Sequence, residues 1–418
     1  SEDLVVARAG GSHRLVTRYF GWGEDGSYGA LSFGAVADPL QSIAFGREWG
    51  GGSRSANGGA EPVSLAETLA NAGRFRRPPS DVETPLADID YALRWHPASY
   101  RALLIDLARK IGVAHIQGQT LDIEPDGSGG ISSLLIDGQA RVEADLYLDC
   151  SGPAGHLVSA LPGFARQDWS DALPTRRLMV APPAAGMLAL EDRVSLLPQG
   201  WLSEFAGRDG LQSILGIAAQ ISDEAAVAAL GTNPQVVTDV MPSRIDKPWL
   251  GNAIAIGDAS AQFEPLGWLN LDLAHRQIAL LLEMLPGSEV EPLERAEFNR
   301  RVDLMLGGAR DFLATHYAAP RARQVFASDT PQSVAVTIDQ FTRRGRLPFR
   351  EEAPLLPEEL MGLMRCLGFP QGSPPQSSTN SPSQVQAARD AFASKAQAAL
   401  NFAPQYRDWL ASLVGDRA

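Results

Sequence analysis

The chain has 418 residues, 44% of them hydrophobic, which suits a large core spread over two or three domains and argues against disorder. Its 36 basic and 49 acidic residues leave a net charge of -13, which opposes binding to a phosphate backbone and sets nucleic-acid partners aside. No uncharged apolar run reaches the roughly eighteen residues of a membrane span, no signal segment opens the chain, and Cys150 and Cys366 are too few for a disulfide scaffold, so a reducing cytoplasm is the expected setting.

Residues 13–20, HRLVTRYF, alternate as a strand, and GWGEDGSYG then supplies turn chemistry before LSFGAVA, which predicts a hairpin. Residues 46–62, rich in Gly, Ser and Asn, read as a long surface loop, and 74–85 as a second irregular connection. From Ala98 a helical period takes over, with Tyr100, Leu103, Leu104, Leu107 and Ile111 on one face and a stop at Gly112. Three strand-like runs follow as a meander, VAHIQGQTLDIEPD, GISSLLIDG and ARVEADLYLDCSG, with turns at 126–130 and at Asp137-Gly138.

RLMVAPP, VSLLPQGWLSEFAG and LQSILGIAAQ predict a second sheet over 175–220 that walls a substrate chamber, followed by a short helix at 222–231. NAIAIGDAS, AQFEPLG and WLNLDLAHRQIALLLEML then read as strand, loop and long apolar helix, with further helices through about Val325. A polar Pro/Ser tract, QGSPPQSSTNSPS, predicts a flexible loop over 370–384 before a last helical segment.

Two segments carry chemistry. In AIAIGDASAQFEPLGWLNLDL, an apolar strand ends at Gly-Asp, where Asp258 is placed to accept hydrogen bonds from a ligand's hydroxyls. The helix that starts near Trp268 or Leu269 offers free backbone N–H groups to an electron-rich ring edge. In ADLYLDCSGPAGHL, a buried strand runs into Ser151 and Gly152, where backbone must approach a ligand closely.

Together these segments resemble the flavin-dependent tryptophan halogenases, which are built on the FAD fold of the aromatic hydroxylases. The residues that carry the likeness are Asp149, Cys150, Ser151, Gly152 and Gly155; the strand to Asp258; Glu264, Pro265 and Leu266; RWHPASYRALLIDLARKIGV; and Arg310, Asp311, Phe312, His316 and Tyr317 in EFNRRVDLMLGGARDFLATHY. The resemblance implies a doubly wound α/β (α+β) FAD-binding fold with a β-sheet substrate part and a helical C-terminal part. FAD would then be held by Ser151, Gly152, Asp258, Pro265, Gly267, Leu269 and Asn270. Domain boundaries are expected at 1–95 with 175–250 for the substrate part, 96–174 with 251–285 for the FAD part, and 286–418 for the helices.

The chain also departs from that pattern. The family opens with a strand, a Gly-x-Gly-x-x-Gly loop and a helix, and that βαβ unit does not precede Ser1; the literal match at Gly21, Gly23 and Gly26 carries two acids and reads as a hairpin turn. The family's relay lysine falls on Arg14, whose guanidinium keeps its proton. Of the Trp-x-Trp-x-Ile-Pro signature only Trp201 remains, either in the core or on the substrate wall. After Glu264-Pro265-Leu266 the catalytic glutamate and the halide-contacting Ser-Thr-Gly are replaced by Gly267, Trp268, Leu269 and Asn270, a pattern nearer the aromatic hydroxylases.

The expectation is therefore a flavin-dependent oxidoreductase that inserts oxygen into an electron-rich, indole-like aromatic, free or peptide-bound. The alternatives are a true halogenase with an altered halide site and a binding module that has lost FAD. Arg14 and Glu264 are the candidate catalytic residues, Glu264 as a general base or as a cap for the next helix, and His13 and Trp201 the candidate substrate contacts. No nicotinamide site is evident, which points to a separate flavin reductase, and six scattered histidines give no metal-ligand spacing.

Overall fold

The computed structural model describes residues 2–415 except 24–26, 35–43, 45–50, 56–62, 80–81, 119, 138–139, 187, 288–289 and 374–379. The strand segments at 16–55 and at 177–239 do not form separate modules but meet in one sheet. Its eight strands run, edge to edge, Val236–Asp239, Arg177–Val180, Gly210–Ile217, Gly200–Gly207, Glu191–Leu197, Val16–Phe20, Ser27–Ser32 and Gly51–Ser55. All neighbours are antiparallel except 191–197 with 16–20, where Asp192 pairs with Thr17 and Val194 with Tyr19.

Because side chains alternate across a strand, that register puts Thr17, Tyr19, Asp192, Val194, Trp201, Ser203 and Phe205 on one face. The face is completed by Gly216 opposite Trp201. A side chain at Gly216 is excluded, because a Cβ there would lie 2.1 Å from the Trp201 ring. Over this face lies the 26-residue helix Pro292–Tyr317, begun by a proline at its first turn. Phe298, Val302, Leu306 and Leu313 of that helix are buried in the same core as Trp22, Trp201 and Trp249.

A smaller sheet carries the two chemistry-bearing strands side by side. Tyr147–Asp149 and Ala253–Ala255 are parallel, with Tyr147 opposite Ala253 and Asp149 opposite Ala255, and Trp249–Leu250 closes the far side. Parallel pairing of segments about a hundred residues apart sends both carboxyl ends out of the sheet at one edge, as in a doubly wound fold. The meander appears as Thr120–Pro125, Ile131–Ile136 and Ala140–Val142.

Several sequence-based expectations are corrected. Residues 13–20 are not one strand: Ser12–Arg14 pairs with Ala92–Arg94, while Val16–Phe20 joins the large sheet. The loop expected over 46–62 holds the edge strand Gly51–Ser55, and its remaining residues lie outside those described. The flexible loop expected over 370–384 gives way at Pro382 to the helix Pro382–Phe402, capped by Ser381, while 374–379 lie outside the described residues. The helix Pro97–Lys110 forms, but of its apolar stripe only Leu103 is buried, and Leu104, Leu107 and Ile111 are exposed.

The C-terminal helices are not a separate layer. Pro382–Phe402 and Tyr406–Gly415 return to the chain's beginning and share a core with Val6, Leu15, Leu69 and Phe75. No helix among the described residues is long and apolar enough to cross a membrane.

Candidate functional site

The site grows from the edge where the parallel strands end. Asp149 is buried and is consumed by the turn that follows it: Oδ1 accepts from the Ser151 amide at 3.0 Å and from its hydroxyl at 2.5 Å, and Oδ2 accepts from Leu157 and Val158 amides at 2.8 and 3.1 Å. Ser151 Oγ in turn accepts from the His156 amide at 2.8 Å. The Ser151 hydroxyl therefore fastens the turn, and what Ser151 and Gly152 can offer a ligand is backbone. Gly152, at φ 82° with open space where a Cβ would point, is the accessible backbone of this turn.

At the adjacent strand end the Gly257 amide donates to Gln277 Oε1 at 2.7 Å, and Gln277 Nε2 donates to Ser260 Oγ at 2.8 Å. Gln277 is fully buried on the helix Asn270–Glu283, so the helix grips the turn and leaves the Asp258 carboxylate exposed at the sheet edge. Asn270 Nδ2 reaches Asp258 Oδ1 at 3.3 Å and the Phe263 carbonyl at 3.4 Å. No side chain caps this helix, so its first-turn N–H groups remain available to an acceptor.

Between strand and helix runs the turn Glu264–Leu269. The Trp268 amide donates to the Pro265 carbonyl at 3.2 Å, Gly267 sits at φ 84° and Trp268 at φ 60°. A Cβ on Gly267 would lie 2.4 Å from the Phe312 ring, so the long helix fits only a glycine there. Leu269 is buried, and the Trp268 ring meets Phe205 edge-on with centroids 4.1 Å apart.

Glu264 is neither exposed nor a helix cap. It is fully buried; Tyr317 donates to its Oε1 at 2.6 Å, and its Oε2 is buried with no partner among the described residues. Tyr317 is itself bracketed by Thr175 Oγ1 at 2.7 Å and Trp201 Nε1 at 3.1 Å, and Trp201 also donates to Thr175 at 3.0 Å. Burial pushes the Glu264 carboxyl up to about 7, with the Tyr317 hydroxyl opposing in part. Next to Tyr317, His316 is buried against Tyr19, Trp22 and Phe312, its Nδ1 on the Phe312 carbonyl at 3.1 Å, and burial lowers it to about 4.

Arg14 reaches the same face from the neighbouring sheet: it donates to Asp192 Oδ2 at 2.6 Å, while Arg94 holds Asp192 Oδ1 at 2.7 Å. Its guanidinium lies 4.8 Å over the Phe33 ring, which leaves a fixed cation and no nucleophile. Trp201, fully buried and hydrogen-bonded, is a core tryptophan rather than a substrate contact. His13 is corrected outright: it is fully buried among Phe75, Tyr91, Tyr406 and Trp409, with Nε2 3.0 Å from Glu2 and Nδ1 3.1 Å from Tyr406, so neither nitrogen faces a chamber.

The structure thus gathers Gly152, Asp258, Pro265, Gly267, Leu269 and Asn270 at one edge, with Trp268, which read from sequence only as a helix start, and adds Phe205, Thr175 and Gln277, which sequence reasoning missed. Only the alternation of Trp201, Ser203 and Phe205 along one strand signalled any of these. The Gly21–Gly23 turn packs on Leu196 and Gly368 and leads into strand 27–32, so it is not a phosphate loop, although Gly26 lies outside the described residues. Among the described residues no cluster of three or more His, Cys, Asp or Glu is arranged to hold a metal.

Comparison with known proteins places this geometry. The family model described as tryptophan halogenase matches residues 1–379. The tryptophan 6-halogenase SttH of Streptomyces toxytricini is 25% identical over 270 residues, 60% of this chain and 52% of that protein. The tryptophan 7-halogenase RebH of Lentzea aerocolonigenes is 26% identical over 257 residues, 57% and 47% respectively. The chain spans about half the length of these curated relatives. Among solved structures, the flavin-dependent halogenase BrvH of Brevundimonas sp. BAL3 superposes with TM-score 0.83 at 22% identity, covering 99% of this chain and 88% of that one. Xcc4156 of Xanthomonas campestris, also a flavin-dependent halogenase, gives TM-score 0.86 at 20% identity, covering 99% and 86%. These relatives are halogenases, so the expected preference for oxygen insertion draws no support from them.

Proposed function

Because the chain belongs to the tryptophan halogenase family, we propose that it is a flavin-dependent, halogenase-type enzyme that oxidises an electron-rich, indole-like aromatic compound, with FAD as cofactor and a separate reductase as electron source. The observation that carries this reading is the pair of parallel strands that end together at Gly152 and Asp258, beside an uncapped helix.

The residues present fit the ribityl and ring side of FAD. Asp258 accepts from sugar-alcohol hydroxyls, the open backbone at Gly152 allows close approach, and the first turn of helix 270–283 favours negative charge on the ring edge. A diphosphate loop is not found among the described residues, so the fit covers that side only. When bound, the flavin supplies the oxygen-activating chemistry, and the protein supplies position and electrostatics. Below about pH 7 Glu264 is kept neutral by burial, so no fixed anion stands behind the turn to oppose charge on the ring.

A second reading, oxygen insertion, is favoured by one observation: Arg14 is locked on Asp192 and offers no amine to relay a halogen. The test is turnover of indoles and phenols with FAD, a flavin reductase and bromide or chloride. A product whose mass carries the halogen supports the first reading, a halide-independent gain of one oxygen supports the second, and no product with flavin demonstrably bound overturns both.

A further inference from the structure

Among the described residues three non-glycine residues have positive φ, and two of them, Asp137 and Glu352, are acids; the third is Trp268. Asp accepts that region readily, whereas a bulky ring there is an outlier, sustained only because the surroundings over-determine it. Gly267 and the Pro265–Trp268 hydrogen bond provide that constraint. The strain does not serve full burial, since 36% of Trp268 stays exposed. What it achieves is to stand a large apolar ring, backed edge-on by Phe205, at the start of the uncapped helix.

Two unsatisfied polar atoms lie in the same seven residues. Asn270 turns Nδ2 to two acceptors, which fixes its amide and leaves Oδ1 a buried acceptor without a partner among the described residues; Glu264 Oε2, on a carboxyl kept neutral by burial, is also unpartnered there. A buried acceptor without a donor, such as Asn270 Oδ1, marks a place where a ligand's N–H group is wanted. We propose that Trp268, backed by Phe205, is the plate of a binding site for a planar heteroaromatic ring that carries N–H groups, either the ring of a flavin or that of an indole-like substrate. The inference deepens the proposed function and rests on it.

The test compares the full wild-type chain with W268G and W268F for binding of riboflavin, which lacks the diphosphate, and of indole. Glycine is at ease at φ 60°, so W268G removes the ring while relieving the backbone, and its thermal stability should equal or exceed that of wild type. Loss of one stacked ring weakens binding about tenfold, and W268F, which keeps a ring, should stay within about threefold of wild type. A loss confined to riboflavin assigns the plate to the cofactor, and a loss confined to indole assigns it to the substrate; both support the site. Unchanged affinity of W268G for both ligands overturns the plate while leaving the flavin reading intact. Failure of wild type to bind either ring overturns both, and a marked fall in the stability of W268G shows the ring to be core filling and overturns the plate.

Discussion

Replacing Glu264 by Gln keeps the shape of the buried side chain and removes its titration. In the folded chain the carboxyl is held at about 7 against an ordinary 4.5, chiefly because burial penalises its charge. Each tenfold change in proton affinity is worth about 1.4 kcal/mol, so ionising this group costs the fold about 3 kcal/mol by pH 8. The sign follows from the raised value. Below pH 4.5 the carboxyl is neutral in folded and unfolded chains alike; as pH rises toward 7 the unfolded chain ionises first, and stability drains away.

E264Q is free of that drain. Measured by urea unfolding at several pH values between 4.5 and 8, the stability of E264Q relative to wild type should rise by about 3 kcal/mol across the window. A difference that stays constant with pH would refute the claim that Glu264 is buried without compensating charge.

Three further outcomes are expected. Tyr317→Phe removes the donor to Glu264 Oε1 and should cost about 1–3 kcal/mol in urea unfolding, with a smaller loss when made in E264L, which has no acceptor there, because the two side chains share one hydrogen bond. Gly267→Ala meets both a left-handed φ and the Phe312 ring and should cost about 2 kcal/mol or more, whereas Gly152→Ala meets only the φ and should cost about 1 kcal/mol; thermal melts of the two rank them. His316, lowered to about 4 by burial, should stay neutral in an NMR titration down to pH 5, its signal identified by loss in H316Q; its stabilising effect is full above 6.5 and fades as pH falls toward 4.

The parts of the site that were legible in the sequence are those whose cause is local. An apolar strand into Gly-Asp, and the helix resumed at Asn270, follow from residues within twenty positions, and both are found in place. The edge strand Gly51–Ser55 was not legible, because its Gly and Ser residues have little strand preference and only the neighbour at 27–32 imposes it. Trp268 read as the start of a helix; nothing in its identity announces a positive φ, which the Gly267 turn forces.

Glu264 and His13 show how a residue's chemistry is decided far from its own segment. A carboxylate after a strand suggests a base or a cap, yet the groups that enclose Glu264 sit on Tyr317, 53 residues onward, and through it on Trp201 of the large sheet and on Thr175, just before its strand Arg177–Val180. His13 beside Arg14 suggests a pair in one chamber. The strand alternation that sends Arg14 to Asp192 sends His13 to the opposite side, where Tyr406, 393 residues away, closes over it. Two neighbours in sequence thus fall into different cores. Burial of Glu264 beneath the turn, with Tyr317 of the long helix as its hydrogen-bond donor, lifts that carboxyl to about 7, so a group enclosed from across the fold, rather than His13, titrates near neutral pH behind this turn.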